Sequence, residues 1–456
     1  MTNALRRLDR ACLPLMAVLS ALVALLNYHA LHNFHTIDKH LVFRERILHG
    51  FSSADVIPGY AIPPTFPMWG YGWVLLLTTS KPLLIALQIA VALGSAWYLL
   101  RVLDAIALLG SWSMALLRVM MIGCTSWYAY NSIDWSQSLA TSCLIFSVAT
   151  LIQAAGARGS RRRLLAVSAI CFGLNLNFAS DLYLLPLFLA AAYFWCAGPS
   201  RAAAAQALAW LAVLALTLVP WMIYSWRAVG TPLVKSTNQG HVMLIGLGQD
   251  AQRRFGTTYS DDDPLMYRVL REQLGDAFAR RFYASCSYEA DVVLKRLFIQ
   301  IVSRQPRDYL DLVQFKMRQL LTGAIGTYAG EFDEGANVDA FGVGLRVRTG
   351  LRRYTQETGH LLQLGTTLFA PLALWMALWR RQRAWALLLA PIAYQYVSCS
   401  LAALQPQYVS NVILFQLTVC ANGAGTLLAA IAGEPAKEVA PAFSRDENGF
   451  TAAARR

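Results

Sequence analysis

The chain has 456 residues, of which 56% are hydrophobic and only 14% charged. Soluble domains carry roughly a quarter of charged residues, so an ordinary water-soluble protein is excluded. The formal net charge of +13 suits either a nucleic-acid binder or a membrane protein with basic cytoplasmic loops, and the position of the charges decides between them.

Taken in chain order, Arg6, Arg7 and Arg10 precede an apolar run at 13–31. That run is too long for a signal peptide and lacks a small-residue cleavage site, so it reads as a retained first helix. Further apolar runs lie at 83–100, 105–124, 137–154, 164–178, 182–196, 204–226, 361–378, 384–401 and 409–431. The pattern predicts an all-α polytopic membrane protein with about ten transmembrane helices. Six of the eight cysteines, Cys124, Cys143, Cys171, Cys196, Cys399 and Cys420, fall in or at the edge of these runs and read as small core residues, not as a disulfide framework.

Loop charge sets the orientation. With Arg6, Arg7 and Arg10 cytoplasmic, the alternate loops should be basic, and they carry Arg101, then Arg158 with Arg161 to Arg163, then Arg201, then Arg380, Arg381 and Arg383. The opposite short loops at 126–136, 179–181 and 405–408 contain no Lys or Arg. Both termini are therefore expected in the cytoplasm, and two longer segments on the outer face. The stretch 227–357 holds 18 Lys/Arg and 15 Asp/Glu, a net +3, which leaves +10 of the +13 elsewhere. With the excess in cytoplasmic loops, nucleic acid drops out as a partner and membrane lipids take its place.

The expected organisation is an N-terminal transmembrane module (1–226) whose first outer loop spans 32–81, an exoplasmic segment (227–360), C-terminal transmembrane helices (361–432) and a cytoplasmic tail (433–456). In the first outer loop an amphipathic stretch ends at Gly50 and a proline-rich return follows, and 68–79 reads as a second, short interfacial helix with Trp69, Tyr71 and Trp73 as an interfacial belt. Within the outer segment, 230–248 reads as a loop or short strands, while 265–282, 290–303 and 307–321 carry helical apolar spacing.

Asp38, Glu45, Asp55, Asp134 and Asp181 all map to the outer face. Carboxylates near the hydrocarbon boundary are costly to desolvate, so convergence from several loops points to a shared polar cavity. Five of the seven histidines crowd the first outer loop, and His35 and His40 are the candidate ligands should that loop hold a divalent metal.

The order of these features resembles the membrane-embedded GT-C glycosyltransferases, in the bacterial branch related to protein O-mannosyltransferases and to the aminoarabinose and galacturonic acid transferases of lipid A. The resemblance rests on the stretch from Asp38 to Gly50, the turn with Tyr60, Pro63, Pro64, Phe66 and Pro67, and the loop with Arg227, Gly230, Pro232, Ser236, Thr237, Gly240 and Gly246. The helix pair with Pro306, Tyr309, Leu310 and Lys316 extends it. It implies transfer of a sugar, with inversion, from a polyprenyl-phosphate donor to a lipid, glycan or protein acceptor at the periplasmic face of a bacterial inner membrane. Asp38 would be the general base on the acceptor, because a poor nucleophile needs a carboxylate within hydrogen-bond reach. Asp134, beside Trp127, Tyr128, Tyr130 and Trp135, would help bind substrate, with Asp181 and Tyr60.

Three positions differ from the family pattern. Lys39 stands where an acid often follows the base, and with Arg44 and Arg46 would attract the donor phosphate. Asn177, Ser180 and Asp181 replace a basic residue before Tyr183 and Pro186. The late Arg-Tyr of the family is Gln407-Tyr408 here, counted as substrate-binding without the arginine. No cofactor beyond the lipid-linked donor is implied. A transporter or flippase of a lipid-linked substrate, or a non-catalytic membrane assembly protein, remains the alternative from another class.

Overall fold

The computed structural model describes residues 2–27, 36–49, 62–133, 135–157, 160–281, 283–323, 345–379 and 382–432, and among them all regular structure is helical. Helix α1 (Thr2–Asn27) is followed by two helices of the first outer loop, α2 (Thr36–Leu48) and α3 (Gly70–Leu77). Then come α4 (Lys81–Ala105), α5 (Ser111–Gly123), the short α6 (Thr125–Asn131), α7 (Ser136–Gly156), α8 (Arg161–Phe178), α9 (Leu185–Cys196) and α10 (Arg201–Val229). The polar segment contributes α11 (Gln239–Leu247), α12 (Pro264–Leu274), α13 (Asp276–Ala279), α14 (Tyr288–Arg304) and α15 (Pro306–Leu321). The chain then returns through α16 (Leu345–Leu378), α17 (Ala384–Leu401), α18 (Pro406–Ser410) and α19 (Ile413–Ile431).

Among the described residues seven helices are long and apolar enough to cross a membrane, within α1, α4, α7, α10, α16, α17 and α19. The predicted runs at 105–124, 164–178 and 182–196 become α5, α8 and α9. Two of these are short apolar helices, and α8 begins with Arg161, Arg162 and Arg163.

Outward-facing side chains of the long helices suit a lipid environment. On α1 the exposed residues Leu15, Val18, Leu22 and Leu25 recur at helical spacing, and α16 shows Leu361, Leu364 and Leu368 in the same way. Such apolar stripes are tolerated on an outer surface only where hydrocarbon covers them. Inside, close approach depends on small and hydroxyl residues, since lipid supplies no hydrophobic drive between helices. Ser147 and Ser168 meet at 3.1 Å and Trp210 Nε1 donates to Ser168 Oγ at 3.0 Å, tying α7, α8 and α10. Gly425 of α19 sits against the backbone of Ser113 in α5.

The bundle has two chemically distinct ends. At one, Arg118 pairs with Asp9 at 2.7 Å, and Cys196 donates to the carbonyl of Arg383 at 2.8 Å. At the other, α10 ends at Gly230, whose φ of +71° closes the helix in the left-handed region, and the polar segment follows. That segment has its own core of Leu244, Leu247, Met266, Leu270, Ala290, Leu294 and Leu312. Two of its helices are capped by side chains: α12 by Asp263, which accepts from Met266 N at 2.8 Å, and α14 by Ser287, which accepts from Ala290 N at 3.2 Å.

Two local expectations need correction. The stretch 230–248, expected as a loop or short strands, is a loop as far as Asn238 and then the helix α11, which Gly240 and Gly246 let press onto neighbouring backbone. The stretch 68–79 holds only the eight residues of α3, and it is packed inward: Tyr71 and Leu75 are fully buried, Gly70 abuts the carbonyl of Asn177 and Gly72 abuts Phe43. Trp69 is buried too, stacked on Tyr224. Of the three aromatics read as a belt, only Trp73 is exposed.

Candidate functional site

Helix α2 docks through the face that carries Val42 and Phe43, both fully buried, with Phe43 against Trp221 and Tyr224 of α10. Arg46 is buried as well; it donates to the carbonyls of Ile62 at 2.5 Å and Pro63 at 3.5 Å and lies over the Phe43 ring. Arg44 pairs with Glu45 and donates to the carbonyl of Leu75 at 3.2 Å. The two arginines expected to attract phosphate therefore hold the first outer loop together. A buried guanidinium meets carbonyls here because its donors need partners once water is gone.

The 62–69 turn is fastened to three other elements. Thr65 bonds Thr237 through their hydroxyls at 2.8 Å, Tyr224 OH donates to the Pro64 carbonyl at 2.8 Å, and Trp69 Nε1 donates to Asn177 Oδ1 at 2.8 Å. From α2, His40 meets Tyr71 edge-on at 4.8 Å. Tyr71 OH donates to Gln88 Oε1 at 2.6 Å, and Gln88 Nε2 donates to the Ile133 carbonyl at 2.6 Å. The first turns of α2 and the second outer loop are thereby linked. Asp38 and Lys39 belong to α2, but their side chains, like that of Gln407 and like Asp134, Tyr60 and His35 altogether, lie outside the described residues. Among the described residues no group of three His, Cys, Asp or Glu side chains could hold a metal ion.

Asp181 is the carboxylate at the centre of the described network. It stands in the turn between α8 and α9, where Asn411 Nδ2 donates to its Oδ2 at 2.7 Å and Tyr394 OH to its carbonyl at 3.3 Å. Asn411 Oδ1 in turn accepts from Tyr130 OH and from Thr141 Oγ1, the latter at 3.1 Å. Burial pushes the Asp181 carboxyl up to about 6, with the Asn411 bond opposing. Tyr408, packed nearby, is held well above the usual phenol range by burial and then by the Asp181 charge. One asparagine thus joins three segments distant in sequence. Asn411→Ala is expected to destabilise the protein by about 2–4 kcal/mol, since Asp181 and Tyr130 each lose a buried partner. Thermal unfolding of that variant at wild-type temperature would remove Asn411 from this role.

Two lysines of the polar segment are withdrawn from solvent, Lys316 fully and Lys235 in part. Lys235 lies over the Tyr183 ring at 4.3 Å; burial, then the neighbouring Lys295, lower its pKa to about 8, while Asp291 opposes. Around it Ser180 and Ser236 share a hydrogen bond at 3.0 Å and Gln239 Nε2 donates to Tyr183 OH at 3.2 Å. Lys316 of α15 is 1% exposed and donates to the carbonyl of Ala402. Asn411, Tyr130, Tyr394, Lys235 and Lys316 were not singled out as site residues from sequence, although a polar residue at the start of the 409–431 apolar run was the signal that could have found Asn411. Asp181 can accept hydrogen bonds from hydroxyls, and the two lysines offer positive charge at Tyr183 and at the end of α17.

No protein family, curated protein or solved structure matches this chain.

Proposed function

We propose that the protein is a GT-C-like inverting glycosyltransferase of a bacterial inner membrane, with about ten membrane helices and both termini cytoplasmic. It moves a sugar from a polyprenyl-phosphate donor to a lipid, glycan or protein acceptor in a cavity open to the periplasm. The observation that carries this reading is the convergence, at one end of the bundle, of five loop segments on a polar cluster holding Asp181. Helix α2, which bears Asp38, is bound into that end.

Asp38 takes the acceptor proton as the acceptor oxygen or nitrogen attacks the anomeric carbon, and the carrier phosphate leaves from the opposite face. Asp181 accepts from sugar hydroxyls. Lys235 and Lys316 supply charge for the phosphate as its negative charge grows. The test is incubation of the purified chain with radiolabelled polyprenyl-phosphate sugars and a membrane extract. A glycosylated acceptor and free carrier phosphate are expected, and a complete donor panel with neither product overturns the reading.

One observation favours a translocation activity instead. Gln395, Gln416 and Asn422 are buried within the last two long apolar helices, and polar side chains at that depth mark substrate paths in transporters. Movement of a fluorescent lipid between leaflets of vesicles containing the protein, without any glycosylated product, would select that activity.

A further inference from the structure

The amine of Lys316 is an unusual buried cation. Among the described residues no carboxylate pairs with it, and its Nζ bonds the Ala402 carbonyl. An ammonium has three N–H groups, so one bond leaves donors to spare. Burial lowers its pKa to about 7, and an anion entering beside it would favour the charged form.

Beside it lies an open cavity of about 390 Å³ lined by Gly248, Gln249, Tyr259, Phe315, Gln319 and Leu404, in the size range of small-molecule sites. Its wall is rigid. Gln249 is clamped to Leu404, donating to its carbonyl at 2.6 Å and accepting from its N–H at 2.8 Å, and Gly248 is pressed to the backbone of Thr258. Helix α15, which carries Lys316, and the preceding α14 show apolar side chains outward: Leu310, Phe315 and Leu321 of α15 and Ile299 of α14. Amphipathic helices with such a face lie at the membrane boundary, at the depth of lipid phosphates.

We infer that this cavity binds a phosphate ester, with Lys316 as its charge partner and Gln319 as a neutral donor. The inference names the phosphate subsite of the proposed transferase, and it rests on that reading only for identifying the phosphate with the donor. Binding alone suffices for it; no transfer step is involved. The competing role for Lys316 is to cap the C-terminal carbonyls of α17, which needs no ligand.

The two are separated by titrating the full chain in neutral detergent with farnesyl phosphate, farnesol and inorganic phosphate. Farnesyl phosphate is expected to bind saturably, about tenfold or more weakly to Lys316→Met. Lys316→Arg should bind within about threefold of wild type, because the charge is retained. Gln319→Glu, a substitution on the cavity wall that keeps Lys316 itself, should also weaken binding by repulsion of the phosphate. Farnesol binding should be unchanged throughout. Displacement of the probe by inorganic phosphate would show a site that takes the free anion too; no displacement would show one restricted to lipid-borne phosphate.

Binding unaffected by both Lys316→Met and Gln319→Glu overturns the inference, as does a parallel loss of farnesol. Binding through Lys316 in a protein that transfers no sugar would keep the subsite and remove the transferase reading. Transfer in a protein whose farnesyl phosphate binding ignores both substitutions would do the reverse.

Discussion

An Asp38→Asn protein, folded and inserted, is expected to transfer sugar about 10²–10⁴-fold more slowly than the wild type, the usual worth of a general base. Asn keeps the shape of the side chain but cannot take a proton. Donor binding should be unchanged, so the loss should fall on kcat and not on KM. Wild-type turnover by this variant would sink the base assignment.

Asp181→Asn should behave differently, and pH is the discriminating variable. Because the folded-state pKa of Asp181 is raised above its unfolded value, to about 6, the folded chain holds that proton more tightly. The stability this contributes is complete below the unfolded pKa and is lost as pH rises through about 6. Above that the ionised, half-buried carboxylate burdens the fold by an amount on the order of 1–3 kcal/mol. Asp181→Asn is therefore expected to raise the unfolding temperature at pH 8 and to change it little at pH 4, while weakening substrate binding at pH 8. Wild-type activity should fall on the acid side of about 6 for the same reason. A variant less stable than wild type at pH 8 would mean that Asp181 serves the fold and not the substrate.

Gly246→Ala is expected to detach the polar segment from the bundle. A Cβ at this position would lie 2.0 Å from the Ala402 carbonyl oxygen and 2.6 Å from its carbon. Both atoms are backbone, so α11 itself would have to move off the end of α17. That movement would break the clamp between Gln249 and Leu404 and the bond from Lys316 to Ala402. The expected destabilisation is about 3 kcal/mol or more, read as early proteolysis within the polar segment and as loss of transfer. Gly350→Ala is the control: nothing lies within 4 Å of its Cβ and it sits on the exposed face of α16. There a gain of about 0.5–1 kcal/mol is expected from helix propensity alone. Equal unfolding temperatures for the two variants would mean that the close approach at Gly246 is not used.

The membrane helices were legible because burial in lipid demands a continuous apolar run, a property of consecutive residues. All seven long apolar helices coincide with predicted runs, and the helices of the polar segment near 265–321 appeared where helical apolar spacing placed them. Legibility failed where a residue type suits two environments. Trp69 and Tyr71 have the amphipathic rings of an interfacial belt, yet they are buried because Asn177 and Gln88 satisfy their polar ends. Arg46 has the charge of a phosphate ligand, yet backbone carbonyls at Ile62 and Pro63 claim it. Local glycines in 230–248 suggested irregular backbone, while the need for α11 to touch Ala402 explains one of them.

By itself the sequence determined the helical, membrane-embedded character of the chain, the alternation of basic and neutral loops, and the concentration of carboxylates in the polar segment. These follow from local composition, which the bilayer reads one segment at a time. Only the tertiary structure decided which polar groups meet: that Asn411 joins Asp181 to Tyr130, that Lys316 turns inward beside a cavity, and that Arg44 and Arg46 are spent on the loop they belong to. Pairings across 230 and 281 residues of chain depend on how the helices pack. No local pattern encodes that, because packing is settled jointly by all the faces that come into contact.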